Sequence, residues 1–225
     1  MKAFVPLKDH SERVPGKNFK LLDTKPLYLW VITTLLRTPE INGIVIDTDS
    51  YDRGLWELAN NPKIEIKKRS PHLVGDFVSM NEIIWDYVET AQESDFFMTH
   101  VTNPFLTEKT ISKAIERYYS EKMNGYDSLF SVSTIQGRLF NDQGLPVNHD
   151  PSKLIRTQDL EVIYLENSCM YLFDKASFMV NHARIGSRPF MYPTPVLDSI
   201  DIDTMEEWKL AEQIALGLGT KVGNQ

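Results

Sequence analysis

Ala3-Phe4-Val5-Pro6-Leu7-Lys8-Asp9-His10-Ser11-Glu12-Arg13-Val14-Pro15-Gly16-Lys17-Asn18 opens as an apolar run and continues as a polar, basic turn. An apolar run without polar alternation predicts a short strand, 3–7, buried on both faces, and such strands belong to parallel sheets. A basic, glycine-containing loop at the C-terminal end of a first strand is where α/β proteins hold nucleotides. Lys8, Arg13 and Lys17 are spread along the turn and can surround a polyphosphate from several directions, while Gly16 allows close backbone approach. The loop fits neither the Walker pattern nor the dinucleotide fingerprint. Taken alone, it stands level between a solvated turn and a phosphate cradle.

Further strand signals lie at 43–47, 64–68, 96–102, 128–133, 168–174 and 199–203. Helix starts fall between several of them. Pro26 opens 27–37, and Ser79 with Glu82 forms a capping box ahead of Ile83, Ile84, Tyr87 and Val88. Thr107 caps a helix that carries Ile111, Ala114, Ile115, Tyr118 and Tyr119 on one face; Thr204 with Glu207 forms a capping box before Trp208, Ala211, Ile214 and Ala215. This alternation predicts an α/β fold: a doubly wound, mainly parallel, Rossmann-like sheet flanked by helices. Residues 136–165 break the pattern. Rich in Asn, Asp, Gly and Pro, they predict a hairpin-like excursion, for function or subunit contact, from a single domain spanning 1–225.

Composition narrows the function. A formal charge of -7 excludes a general binder of nucleic acid or of anionic membranes. Between Lys2 and Lys20, however, four lysines and one arginine face two acids, a local surplus that suits a small anionic ligand. The apolar run 27–36 is too short to span a bilayer, and the N-terminus lacks the apolar core of a signal peptide, so a cytoplasmic protein without a membrane partner is expected. Cys169 is the only cysteine, which excludes an intrachain disulfide; its apolar neighbours predict an inert packed thiol.

A second constellation is Ser199-Ile200-Asp201-Ile202-Asp203-Thr204. In a strand, Asp201 and Asp203 project to one side while Ile200 and Ile202 face the opposite layer. Two carboxylates so placed suit Mg²⁺, which prefers hard oxygen ligands and accepts the remainder from water and substrate phosphates. The plainer alternative makes Asp203 a helix-start acid and Asp201 a surface residue.

These stretches, with Thr48-Asp49-Ser50, Arg69-Ser70-Pro71, Thr102-Asn103-Pro104, Gln158-Asp159-Leu160 and Glu166-Asn167 in order between them, make the chain resemble the CMP-sialic acid synthetases, also called acylneuraminate cytidylyltransferases. CMP-Kdo synthetases are more distant relatives. The resemblance implies the nucleotide-diphospho-sugar transferase type of fold and transfer of CMP from CTP to a sugar acid, with Mg²⁺ as cofactor and release of pyrophosphate. It places Lys17, Arg13 and Lys8 in catalysis, Leu7, Ser11, Gly16, Asn18, Arg69, Asp76 and Ser79 beside them at the nucleotide, and Asp201 and Asp203 at the metal. An arginine at position 69 suits cytosine, whose O2 and N3 both accept hydrogen bonds; an exposed strand-end arginine is the alternative. For the acceptor the resemblance implies His100, Thr102, Asn103, Arg156, Gln158 and Asn167, with Arg156 or Arg138 as a charge for a carboxylate. It also implies a homodimer built through 136–165.

Departures from the family pattern concern the acceptor most. Lys8 replaces an arginine and Glu12 a lysine; His100 stands where a glutamine is usual and Leu106 where an arginine is. The leading reading is therefore a Mg²⁺-dependent cytidylyltransferase for a sialic acid-like or Kdo-like acid, such as one destined for a surface glycan. A second keeps CTP and changes the acceptor to a phosphonate, another hydroxyacid or another sugar, and a third is a non-catalytic nucleotide-binding protein.

Overall fold

The structure, a computed structural model, describes residues 1–222. Strands β1 (Lys2–Leu7), β4 (Gly43–Thr48), β5 (Ile64–Lys68), β6 (Asp95–Thr99), β7 (Ser128–Ile135), β8 (Ile163–Asp174) and β9 (Pro189–Pro193) form one seven-stranded sheet, in the order β5-β4-β1-β6-β8-β7-β9. β8 alone runs antiparallel to its neighbours, so the sheet is mainly parallel as expected. β2 (Leu21–Leu22) and β3 (Lys25–Pro26) make a small separate ribbon.

β1 shows why the opening run decides the fold. Ala3, Val5 and Leu7 pack on one face with α1 (Leu27–Arg37) and α4 (Glu108–Met123), whereas Phe4 packs on the other with α3 (Met80–Val88) and α5 (Lys175–Asn181). A strand covered on both faces reads as a near-continuous apolar run. The helix signals hold as well: Thr107 accepts from Thr110 N–H, Ser79 accepts from Asn81 N–H, and Glu207 reaches back to the N–H groups of Asp203 and Thr204 at the start of α6 (Met205–Val222). The Glu82 half of the first box is a backbone contact, its N–H donating to Ser79 O. Asp52 caps α2 (Arg53–Glu57), a short helix that no sequence signal marked.

One expected strand is absent. Residues 199–203 join no sheet: Ser199 and Ile200 N–H bond back to Pro195 O and Leu197 O in a turn, and the rest is held by the loop after β6, with Ile202 N–H donating to Thr102 O at 2.9 Å and Asn103 donating to Ile200 O at 3.2 Å. The expected burial pattern survives, with Ile202 in a third apolar cluster alongside Val14, Leu22, Phe105 and Trp208. The expected strand 96–102 stops at Thr99, and β8 starts earlier than 168, at Ile163. It therefore takes up the end of the 136–165 excursion, whose tip closes as a hairpin bridge between Phe140 and Pro146.

The turn between α5 and β9 is held by Asp127, whose carboxylate accepts from the N–H groups of Ser187 and Arg188 at 2.8 and 3.1 Å. A Cβ on Gly186 would lie 2.4 Å from Asp127 Oδ1. Gly186→Ala is therefore expected to destabilise the protein by about 1–3 kcal/mol through overpacking, read as a lowered urea midpoint. A midpoint equal to wild type would show that the turn yields freely.

Candidate active site

The chain passes from β1 outward to β4 and β5 and then returns to β6 on the other side of β1. That reversal opens a crevice at the C-terminal ends of β1 and β6, the place where open α/β sheets bind ligands. A cavity of about 500 Å³ occupies it, within the size range of small-molecule sites. The loop after β1, the loop after β5, the loop after β6 and the segment before α6 all contribute to its wall.

The loop after β1 is not a solvated turn. Val14 is 1% exposed in the third apolar cluster, and Ser11, Lys17 and Asn18 are buried polar residues. Gly16 has φ of +62°, the left-handed region that reverses the chain, and its carbonyl accepts from Phe19 and Lys20 N–H at 3.0 Å. Asp9 ties the loop to the end of β4, accepting from Ser50 Oγ at 2.6 Å while its N–H donates to Asp49. The stretch Thr48-Asp49-Ser50 thus acts as a buttress.

Charged groups face each other across the cavity. Lys17 Nζ donates to Ile202 O at 2.6 Å and to Asp203 Oδ1 at 2.7 Å, and Arg13 Nη2 meets Asp203 Oδ2 at 2.8 Å. Burial acts to raise the Asp203 pKa, but the Lys17 hydrogen bond and the charges of Lys17 and Arg13 outweigh it and hold the carboxyl below the usual range. Asp201 shifts the other way, upward, through burial first and then the neighbouring Asp203 charge. Its Oδ1 is buried without a hydrogen-bond partner. A buried, unsatisfied carboxylate oxygen on the wall of this cavity fits a divalent cation. Among the described residues no group of three or more His, Cys, Asp and Glu side chains forms a metal cluster, so the remaining ligands would come from water and substrate. Lys8 Nζ pairs with Asp76 at 2.8 Å across the rim, and Asn18 donates to Lys8 O.

Arg69 contradicts the exposed reading. It is 4% exposed, with Nε on Asp47 Oδ1 at 2.5 Å and Nη2 on Asp47 O at 3.0 Å. Asp47, fully buried at the end of β4, also pairs with Lys67 at 3.1 Å. Arg69 lines the cavity with its Nη1 engaged by neither of those contacts.

The structure brings Lys8, Ser11, Arg13, Lys17, Asn18, Arg69, Asp76, His100, Thr102, Asp201 and Asp203 together on the cavity wall. It does not bring the others. Leu7 points into the core, and Ser79 is exposed as the cap of α3. Gly16 shapes the loop without lining the cavity. Asn103 is fully buried and binds the 199–203 segment to the loop after β6, a tether that its position beside Thr102 did not reveal. Arg156 is exposed in a pair with Asp159, Gln158 is exposed, and Arg138 donates to Ile155 O, all on the excursion. Asn167 spans Ser133 and Thr194, donating at 3.1 and 2.7 Å. Leu106 is 2% exposed within the core, so its departure from the family pattern does not touch the cavity. Ser168, Val78, Met80 and Ile83 line the cavity, and the sequence reading assigned none of them to a site. Ser168 sat beside the noted Glu166-Asn167, but its φ of +55° has no sequence signature.

Comparison with known proteins agrees with this geometry. The cytidylyltransferase family model matches residues 3–215. The chain is 28% identical over 225 residues to N-acylneuraminate cytidylyltransferase A of Danio rerio, covering 96% of this chain and 51% of that protein. It is 29% identical over 228 residues to the CMP-N,N'-diacetyllegionaminic acid synthase of Legionella pneumophila subsp. pneumophila, covering 94% of each. A solved structure described as CMP:2-keto-3-deoxy-manno-octonic acid synthetase complexed with CTP shares the fold, with a TM-score of 0.66, 12% identity and 98% of both chains covered. The chain spans about half the length of several of the curated relatives it matches. Because the matched span runs from β1 through the basic loop and the paired acids into α6, this chain belongs to the cytidylyltransferase family.

Proposed function

We propose that the chain transfers CMP from CTP to a sugar acid of the sialic acid or Kdo kind and releases pyrophosphate. The observation that carries this reading is the convergence of Arg13, Lys17, Asp201 and Asp203 on one cavity at the sheet's switch point. In the reaction a hydroxyl oxygen of the acceptor bonds to the α-phosphorus, the bond from that phosphorus to the β-phosphate bridging oxygen breaks, and the hydroxyl proton passes to solvent. Such transfer is catalysed by positioning and by neutralising charge. Arg13, Lys17 and Lys8 supply cations along the triphosphate, each held in place by an acid that the phosphates displace or share. Arg69 offers Nη1 to the base. Asp201 and Asp203 would hold Mg²⁺, which when bound supplies further neutralisation of the phosphate oxygens.

His100 and Thr102 lie on the cavity wall on the side of the loop after β6, which we assign to the acceptor. For the excursion we propose contact with a second copy of the chain: Leu145, Val147 and Leu154 are 56%, 60% and 90% exposed, more apolar surface than a free hairpin keeps.

Pyrophosphate release with CTP and Mg²⁺, measured across sialic acid-like, Kdo-like and phosphonate acceptors, tests the reading. Asp201→Asn is expected to abolish turnover while leaving the thermal midpoint within a few degrees of wild type. Undiminished activity in that variant would remove the metal assignment, and the absence of both turnover and calorimetric CTP binding in wild type would remove the function.

A further inference from the structure

The acceptor side of the cavity is built over an arginine that no motif marks. Arg184, in the turn held by Asp127, lies with its guanidinium carbon 3.7 Å from the centre of the Tyr171 ring. Its Nη2 donates to the Tyr171 hydroxyl at 2.9 Å, and its Nη1 lies 3.3 Å from His100 Nε2. Behind it, the Tyr171 hydroxyl is bonded to Glu166 and lies 3.2 Å from Ser168 Oγ. Glu166 is 3.7 Å from Arg184.

A guanidinium carries donors only and stays protonated in proteins. His100 Nε2 must therefore accept in this contact, and a neutral imidazole that accepts at Nε2 carries its proton on Nδ1. His100 lines the cavity, and among the described residues its Nδ1 has no partner. Burial, helped by the Arg184 charge, pushes the imidazole pKa down to about 3, in keeping with a neutral ring.

We infer that Arg184 is a positioning residue for the acceptor: it holds His100 as the neutral Nδ1–H tautomer, a fixed hydrogen-bond donor to an oxygen of the bound acid. The inference rests on the proposed assignment of this end of the cavity to the acceptor. It gives the departure at position 100 a physical meaning. An amide side chain offers a donor and an acceptor and is free to flip, whereas this imidazole is locked from behind and offers the donor alone. Ser168, held at φ of +55° next to the Tyr171 hydroxyl, supplies a hydroxyl to the same wall.

Nitrogen-resolved NMR of the imidazole rings in the full chain at neutral pH tests the tautomer directly. Wild-type His100 is expected as Nδ1–H, and Arg184→Met is expected to release it toward the commoner Nε2–H form, with Arg184→Lys restoring part of the shift. In steady-state assays with N-acetylneuraminate and CTP, Arg184→Met is expected to raise KM for the acid by about 10–100-fold, as for a site that loses one hydrogen bond to its substrate, and to leave KM for CTP within about twofold. A wild-type ring in the Nε2–H or imidazolium form overturns the inference even if the variant does not fold. So does a tautomer unchanged in Arg184→Met, or an equal rise in both KM values. Failure of wild type to bind CTP in calorimetry would instead overturn the nucleotide reading, and the tautomer would still judge Arg184.

Discussion

Lys17→Met is expected to lower kcat/KM by about 10²–10³-fold, the loss typical of removing one preorganised donor to developing charge. Lys17 Nζ is set by two short contacts, 2.6 Å to Ile202 O and 2.7 Å to Asp203 Oδ1, with a residue exposure of 8%. An ammonium has three donors, so one remains for a phosphate oxygen. Arg13 cannot substitute, because its side chain is 64% exposed and reaches Asp203 from the solvent side. Loss of Lys17 also alters the acid. The Asp203 carboxyl, now held below the usual range, should titrate closer to it, so its contribution to stability changes. In wild type that contribution is present above the ordinary aspartate range and is lost as pH falls through the depressed pKa. The variant should lose less across that acid window. Urea midpoints at neutral and acid pH, alongside kcat/KM, separate the two effects. A rate within threefold of wild type would remove Lys17 from the chemistry.

The fold was legible where burial leaves a periodic trace. β1 from Ala3 to Leu7 and β4 from Ile44 to Ile46 are apolar runs because both faces are covered, and α1 falls at 27–37 as its start signal indicates. The same logic misplaced 199–203. Ile200 and Ile202 alternate with acids as a half-buried strand would, yet the apolar partner is a third cluster with Trp208, and the segment pairs with no strand. Periodicity reports which side is buried, not what buries it. At the site, residues on the basic loop were legible because charge and glycine concentrate there within a few positions. Arg184 and Asp47 were not, since their roles come from contacts made across long stretches of sequence, Arg184 with His100 and Asp47 with Arg69, and Ser168 was not, since a left-handed backbone at a serine leaves no trace in the sequence. The excursion was legible as a break in the pattern. Its polar composition marked an excursion and no ligand; the resemblance puts Arg156 and Gln158 at the acceptor, and within one chain they are exposed, away from the cavity wall.

Asp47→Ala is expected to cost about 3–5 kcal/mol, the usual penalty for removing one partner of a buried ion pair. The carboxylate is fully buried and Arg69 is 4% exposed, so the guanidinium would be left charged, desolvated and without its anion. Lys67 suffers less, because Asp86 remains as a second partner and the ammonium is closer to solvent. Asp47→Asn keeps an acceptor near Arg69 Nε but removes the charge, and should fall between wild type and alanine. The functional consequence follows from geometry. Asp47 holds Arg69 by Nε through its side chain and by Nη2 through its own carbonyl, which fixes the guanidinium plane and leaves Nη1 for the cavity. Alanine preserves only the carbonyl contact, so the plane is free to turn, and selection of cytosine over uracil should weaken more than triphosphate affinity does. Urea unfolding measures the first effect, and competition of UTP against CTP in calorimetry measures the second. A variant with an unchanged midpoint would show that Arg69 finds another partner, and unchanged discrimination would show that the base is read elsewhere on the wall.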